Sequence, residues 1–172
     1  NGKNYRARCV AILHLVAMNA TETSDLMARY ATHPLMGFRG RAIWALGRMN
    51  QRQFIPLLIS SLHDEDHLGQ LVANDWPDES KTLPADVGPE GHGPRAALLD
   101  ALANLHATEA IPDLLHLMEN HPHPGFRLQV AKVLKEWAPL DKRIVPALAR
   151  MAEDVHPESQ LNFIDWLGDI GD

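Results

Sequence analysis

The chain has 172 residues, of which 45% are hydrophobic and 22% charged, and its formal net charge is −6. This size and mixture fit a globular protein with one core, and no apolar run approaches the roughly 20 residues needed to span a bilayer. The only cysteine, Cys9, excludes an internal disulfide and a cysteine-based zinc cluster, and the negative charge argues against binding nucleic acid through its phosphates.

The N-terminal sequence predicts that this chain is a segment of a longer protein. It opens with Asn1-Gly2-Lys3, has no initiator methionine, and shows no signal-peptide pattern. The absence of a disulfide framework slightly favours the cytoplasm as the compartment. Cys9 lies between apolar neighbours, so we expect it to be a small buried residue of a helix.

The first kind of predicted helix, termed a B helix, has apolar residues at the spacing i, i+3, i+4 and i+7. Ala42, Ala45, Leu46 and Met49 show this spacing, which is typical of a helix with one buried stripe. B helices are predicted at 6–15, 38–49, 94–105, 126–137 and 159–170. In the middle three, an arginine stands near the start, at Arg39, Arg95 and Arg127.

The second kind, termed an A helix, is a shorter amphipathic segment between two B helices. A helices are predicted at 24–31, 54–62, 110–118 and 144–151. The last three carry a proline in the first turn, where a missing N–H costs nothing, at Pro56, Pro112 and Pro146. Three A helices are followed by a His-Pro pair, which predicts the end of the helix, at His33-Pro34, His121-Pro122 and His156-Pro157.

The helices alternate with a period of about 31–34 residues, which indicates a repeat protein. One interval departs from it, since Arg39 and Arg95 are 56 residues apart. The excess falls at about 64–92, between an A helix and its B helix, and includes Trp76. This segment lacks a helical period, so we interpret it as a loop insertion in one repeat.

With these motifs in place, the chain resembles the HEAT-repeat family, particularly short bacterial HEAT-like repeats of the PBS-lyase type. The resemblance rests on the (Ile/Val)-Pro-x-Leu A helices, the Asp-rich turn after His63, and the Arg39-x-x-Ala42-x-x-Ala45-Leu46 pattern. It implies an all-α fold, an α-solenoid of about four and a half hairpins forming one domain over 1–172. The family's A helices form the convex side and its B helices the concave side. The recurring arginines are expected to be structural, binding turn carboxylates or carbonyls of a neighbouring unit.

On the concave side, B-helix positions between the core residues are expected to face solvent. This places ten residues on a partner-binding stripe: Arg8, Arg41, Trp44, Arg48, Asp100, Asn104, Lys132, Glu136, Asp165 and Asp169. Trp44 stands out because tryptophan flanked by arginines is typical of binding hot spots. The alternative is that the insertion or a neighbouring repeat covers it.

The resulting functional hypothesis is a protein–protein interaction or scaffolding module, with Trp76 of the insertion as a second contact and the partner unidentified. One alternative is an acidic inhibitor or immunity-type protein that binds a basic enzyme, since the net charge would steer the two together. A second is an accessory repeat region of a larger enzyme. A third is an enzyme similar to the HEAT-like alkylpurine DNA glycosylases, with Trp44, Arg41, Arg48 and Asp100 in the groove.

Other chemistry receives little support from the sequence. His63 and His67 have the i, i+4 spacing of helix metal ligands, although solvated turn residues explain them as well. The chain contains no His-Glu pair, the metal-binding signature of the HEAT-like deoxyhypusine hydroxylases. No catalytic triad or phosphate loop can be assigned. We therefore expect a non-enzymatic protein without metal or cofactor.

Overall fold

The computed structural model describes residues 2–33, 36–63, 94–154 and 157–171. These residues form helices joined by turns and short 3₁₀ segments, with no strand among them. The α-helices are α1 (Gly2–Ala17), α2 (Ser24–Ala31), α3 (Met36–Arg48), α4 (Ile55–Leu62), α5 (Pro94–Asn104), α6 (Ile111–Asn120), α7 (Pro124–Glu136), α8 (Ile144–Asp154) and α9 (Pro157–Gly171).

The predicted alternation of B and A helices is confirmed. The B helices are α1, α3, α5, α7 and α9, and the A helices between them are α2, α4, α6 and α8. Pro56 and Pro112 lie within the first two positions of α4 and α6, as expected. Helices α7 and α9 begin two residues before the predicted boundaries, because Pro124 and Pro157 start them.

Several predicted features lie outside the described residues. These are the insertion at about 64–92 with His67 and Trp76, and one residue from each of two His-Pro pairs, Pro34 and His156.

The chain divides into two compact units, Asn1–Ala107 and Thr108–Asp172. In the first unit, α3 packs against α1, α2 and α5, and α4 packs against α5. In the second, the hairpin α6–α7 packs on the hairpin α8–α9. Helix α8 contacts both α6 and α7, and α9 contacts α7. The core of each unit consists of aliphatic and aromatic side chains such as Ile43, Leu102, Leu134 and Phe163, all fully buried. Burial of this apolar surface stabilises hairpins that could not cover their own faces.

Helices α3 and α5 approach each other closely in the first unit. A Cβ atom added to Gly47 would lie 2.6 Å from the Cα of Ala101 and 2.8 Å from its Cβ. Only glycine fits there without moving one of the helices. Glycine inside a helix costs about 1 kcal/mol relative to alanine, and here that cost allows the two backbones to pack closely.

The turns from B to A helices share one backbone conformation at three junctions. Asn19, Asn50 and His106 each have a positive φ, of 48°, 52° and 47°. The next residue's N–H donates to a carbonyl five residues earlier: the acceptors are the carbonyls of Leu15, Leu46 and Leu102, at 2.9, 3.0 and 3.0 Å. These are the bonds of a left-handed helix C-cap, which satisfies carbonyls that the ending helix leaves open.

The turns from A to B helices also repeat a contact. His33 packs edge-on against Phe38 with 5.3 Å between ring centroids, and His121 packs edge-on against Phe126 at 4.7 Å. Both pairs have the same spacing in sequence. The predicted helix-ending histidines are therefore also packing residues, and His121 is buried.

Arg39 binds a turn carbonyl, as predicted, and this carbonyl belongs to the turn before its own helix. Its Nε and Nη2 donate to the carbonyl of His33 at 3.1 and 2.8 Å. Arg52 makes a contact between repeats, since its Nη1 donates to the carbonyl of Leu105. Arg52 lies in the turn after α3, and Leu105 directly follows α5.

A carboxylate precedes helix α8. Asp141 Oδ1 accepts hydrogen bonds from the backbone N–H of Arg143 at 2.9 Å and from its Nε at 3.0 Å, and Oδ2 accepts from Nη2 at 2.6 Å. The side-chain hydrogen bond from Arg143 is the main reason that the pKa of Asp141 falls from 3.8 to about 2. Because its folded-state pKa is lowered, this residue's contribution to stability is present above about pH 4 and is lost as the pH falls towards 2.

Replacing Gly47 should test the contact between α3 and α5. Gly47→Ala is expected to destabilise the protein by about 1–3 kcal/mol, because overpacking against the Ala101 backbone exceeds the gain in helix propensity. Gly168→Ala is the matched control, since a Cβ there would meet nothing within 4 Å. The control should raise the melting temperature slightly. Calorimetric unfolding of both variants measures the difference, and equal behaviour of the two would contradict the close approach.

His106 offers a test of the left-handed turn. His106→Gly is expected to stabilise the protein by about 1 kcal/mol, because glycine adopts a positive φ without steric cost. His106→Val should destabilise it, because β-branched residues fit this conformation poorly. Chemical denaturation of the two variants beside the wild type provides the measurement. The same order of stability should hold at Asn50, with a smaller gain for glycine because asparagine already tolerates the turn.

Candidate functional site

The ten residues of the predicted stripe divide into an exposed set and a buried pair. The eight exposed residues are Arg8, Arg48, Asp100, Asn104, Lys132, Glu136, Asp165 and Asp169. Trp44 and Arg41 are only 7% and 3% exposed. The B-helix register predicted from the apolar spacing therefore holds best in α7 and α9, and fails in the middle of α3.

The expectation that Arg41 and Trp44 face solvent is wrong. Every residue of α3 from Phe38 to Gly47 is buried, because α3 packs against three other helices of its unit. The Nη1 of Arg41 donates to the Sγ of Cys9 on α1 at 3.0 Å. The position of Arg41 would face solvent on a helix with fewer neighbours, but on α3 it faces α1.

The remaining residues of the stripe in the first unit are accessible. Arg8 lies in α1, Arg48 ends α3, and Asp100 and Asn104 lie one turn apart on α5. The residue one turn before Asp100 at the same register, Ala97, is fully buried. The exposed part of α5 is therefore shorter than the sequence pattern indicates.

In the second unit, one ion pair links the stripes of the two B helices. Lys135 Nζ lies 2.7 Å from Asp169 Oδ2, which connects α7 to α9. The exposed Lys132 and Glu136 are one turn apart on α7, and Asp165 is one turn before Asp169 on α9. The pair is solvent-accessible, so it contributes at most about 1 kcal/mol to stability. Its importance is structural, because it shows that the exposed residues of α7 lie next to those of α9.

Sequence reasoning missed Lys135, although its signal was present. The residue is adjacent to Glu136 of the predicted stripe, and it lies three residues after Lys132. Half-buried lysines extend their aliphatic stems along apolar surface and place the charge at its edge. That property brings the Lys135 ammonium within reach of α9.

The metal hypothesis gains no support from the part of the chain that the structure describes. Among those residues there is no group of three or more His, Cys, Asp or Glu side chains that could hold a metal ion. His63 is exposed in the turn after α4, and its proposed companion His67 lies outside the described residues. Likewise, no described helix combines the length and hydropathy that a membrane span requires.

Trp44 can be tested as a core residue. Trp44→Ala is expected to destabilise the protein by about 3–5 kcal/mol, because removing a buried indole leaves a cavity. Arg48→Ala on the same helix is the control, since Arg48 is exposed and should change stability by less than about 0.5 kcal/mol. Urea unfolding followed by circular dichroism compares them. An unchanged midpoint for Trp44→Ala would show that the indole is accessible after all.

Two segments of the chain match the model of the PBS lyase HEAT-like repeat, residues 38–64 and 94–120. The first begins within α3 and runs through α4, and the second covers α5 and α6. No significant match was found to a curated protein or to a solved structure.

These matches agree with the architecture already described. Each matched segment is a B helix followed by an A helix, joined by the left-handed turn at Asn50 or His106. Repeats of this kind generally mediate contacts between proteins and are typically not enzymes. The described residues are therefore all helical, as expected for the α-solenoid class, and the chain contains two segments that match HEAT-like repeats of the PBS-lyase type.

Proposed function

We propose that this chain is a protein–protein interaction module that binds its partner on the B-helix side of the second unit. The contact surface consists of Lys132, Glu136, Asp165 and Asp169, termed the B stripe. The observation that carries the proposal is the Lys135–Asp169 ion pair, because it links α7 to α9 and so brings the exposed residues of the two helices into one surface. The repeat type supports a protein as the ligand.

The composition of the B stripe favours a partner with a mixed but mainly basic surface. Three of its four residues are acidic and exposed, and the whole chain has a net charge of −6. Charged residues at the rim of an interface mainly affect association rate and partner choice, whereas buried aromatic anchors dominate affinity. The burial of Trp44 removes the anchor that the sequence suggested. The affinity must then come from several moderate contacts.

An inhibitor or immunity-type protein for a basic enzyme is the second candidate. The observation that favours it is the net negative charge together with the accessible carboxylates of Asp165 and Asp169. Electrostatic steering of this kind raises the association rate and decreases steeply with ionic strength. The glycosylase-like hypothesis is not carried forward, because two of its groove residues, Trp44 and Arg41, are buried.

A charge-balanced double variant tests the B stripe. Lys132→Ala combined with Asp165→Ala is expected to weaken partner binding about tenfold or more, equivalent to about 1.4 kcal/mol, without changing the melting temperature. The control is Lys142→Ala combined with Glu153→Ala, which removes the same two charges from exposed positions near and in helix α8. The control should bind within twofold of the wild type.

The measurement needs a partner captured from a lysate of the source organism, identified by mass spectrometry and purified. Titration calorimetry then compares the variants, and stopped-flow kinetics at several salt concentrations separates the two candidates. An association rate that decreases steeply with salt, for a partner whose enzymatic activity is lost on binding, favours the inhibitor. Equal weakening by both double variants would contradict a contact surface on the B stripe.

A further inference from the structure

Helix α9 has an apolar face on the side away from its contact with α7. The face consists of Ile164 and Gly168, with the half-buried Leu167 at its edge, and is termed the tail face; these residues are three and four positions apart and so lie together on the helix. Ile164 is 58% exposed, and a Cβ added to Gly168 would meet nothing within 4 Å. Asp169, by contrast, is held towards α7 by Lys135. The open space at Gly168, beside the exposed Ile164, leaves room for another helix to approach the backbone of α9.

The same pattern is used elsewhere in the chain for packing one helix on another. Helix α3 contains Ile43, Leu46 and Gly47 at the same places in its repeat, so both helices read Ile-x-x-Leu-Gly. In α3, Ile43 and Leu46 are fully buried, and Gly47 is in close contact with Ala101 of α5. In α3 this pattern therefore forms a surface on which another helix, α5, packs. Helix α5 contributes a small residue, Ala101, to the contact.

Helix α1 presents an exposed surface of the required kind. Ala7, Val10 and Ala11, termed the head face, lie on one side of α1, with both alanines exposed and Val10 41% exposed. The alanines are four residues apart, the spacing of Ala97 and Ala101 on α5. Small residues at this spacing let two helix backbones approach closely, as Ala101 does at Gly47. The core side of α1 is separate, since Ile12 and Leu13 are buried.

The charges of the two helices determine how the faces can pair. Helix α1 contains Lys3, Arg6 and Arg8 and no acidic residue. Helix α9 contains acidic residues and no lysine, arginine or histidine. A symmetric contact of α9 with α9, or of α1 with α1, would bring like charges together, whereas a contact of α1 with α9 brings opposite charges together.

We propose that two copies of this chain associate head to tail, with the tail face of one copy packed against the head face of the other. Between the two molecules, this contact would have the same geometry as the packing of α3 on α5, with Gly168 in the place of Gly47. Arg8 beside the head face then lies near Asp165 of the other copy. A heterologous contact of this kind leaves one free head and one free tail, so the association can continue beyond a dimer.

Sedimentation equilibrium of the full chain over a range of concentrations tests the proposal. The wild type should show an average mass that rises with concentration. Ile164→Lys on the tail face and Ala11→Glu on the head face should each weaken association about tenfold or more. Leu140→Lys is the control, because Leu140 is equally large and exposed at 62% but lies in the turn between α7 and α8 and belongs to neither face. It should associate like the wild type.

Mixing the two interface variants distinguishes a head-to-tail contact from a symmetric one. The Ile164→Lys chain keeps an intact head and the Ala11→Glu chain keeps an intact tail, so the mixture should form one-to-one dimers at concentrations where neither variant associates alone. A symmetric contact through α9 instead predicts that the Ala11→Glu chain, whose α9 is intact, associates with itself and that no one-to-one complex of the two variants forms in the mixture. That result overturns the proposal, as does a wild type that stays monomeric at every concentration or association unaffected by both substitutions. Circular dichroism of each variant verifies folding.

Discussion

The close packing of Gly47 on Ala101 is the contact on which the first unit depends. It brings α5 close to α3, and α3 is then surrounded by α1, α2 and α5. Enclosure by three helices explains why a stretch that includes the charged Arg39 and Arg41 is buried throughout. The two guanidinium groups are accommodated by hydrogen bonds to the His33 carbonyl and to the Cys9 sulfur. A buried charge is tolerated only where such donors and acceptors are available.

The existence and order of the helices could be predicted from the sequence because the apolar period, the first-turn prolines and the His-Pro pairs all indicate the same alternation of helices. What failed was the assignment of Arg41 and Trp44 to solvent. Apolar spacing identifies the stripe of a helix that faces the core, but it does not say how many other helices surround it. The small residues Gly40 and Gly47 were the available signal that α3 has close neighbours on more than one side.

The turns and the candidate site illustrate the same limit. Asn50 is a residue that often adopts a positive φ, so its turn was open to prediction, whereas His106 in the same conformation gave no comparable signal. In the second unit the prediction for Lys132, Glu136 and Asp165 held as to exposure, since α7 and α9 follow the simple register. The contact between α7 and α9 in this region is made by Lys135, which is long enough to reach Asp169. The spacing of apolar residues does not predict such a contact.

The contact between Arg41 and Cys9 gives the protein an internal reporter. The chain has a single thiol, and that thiol is buried on α1 against a guanidinium of α3. A thiol reagent can react with Cys9 only when α1 separates from α3, or when the whole unit unfolds. The rate of labelling therefore measures how often the first helix detaches from the rest of its unit, at a defined place and without any engineered probe.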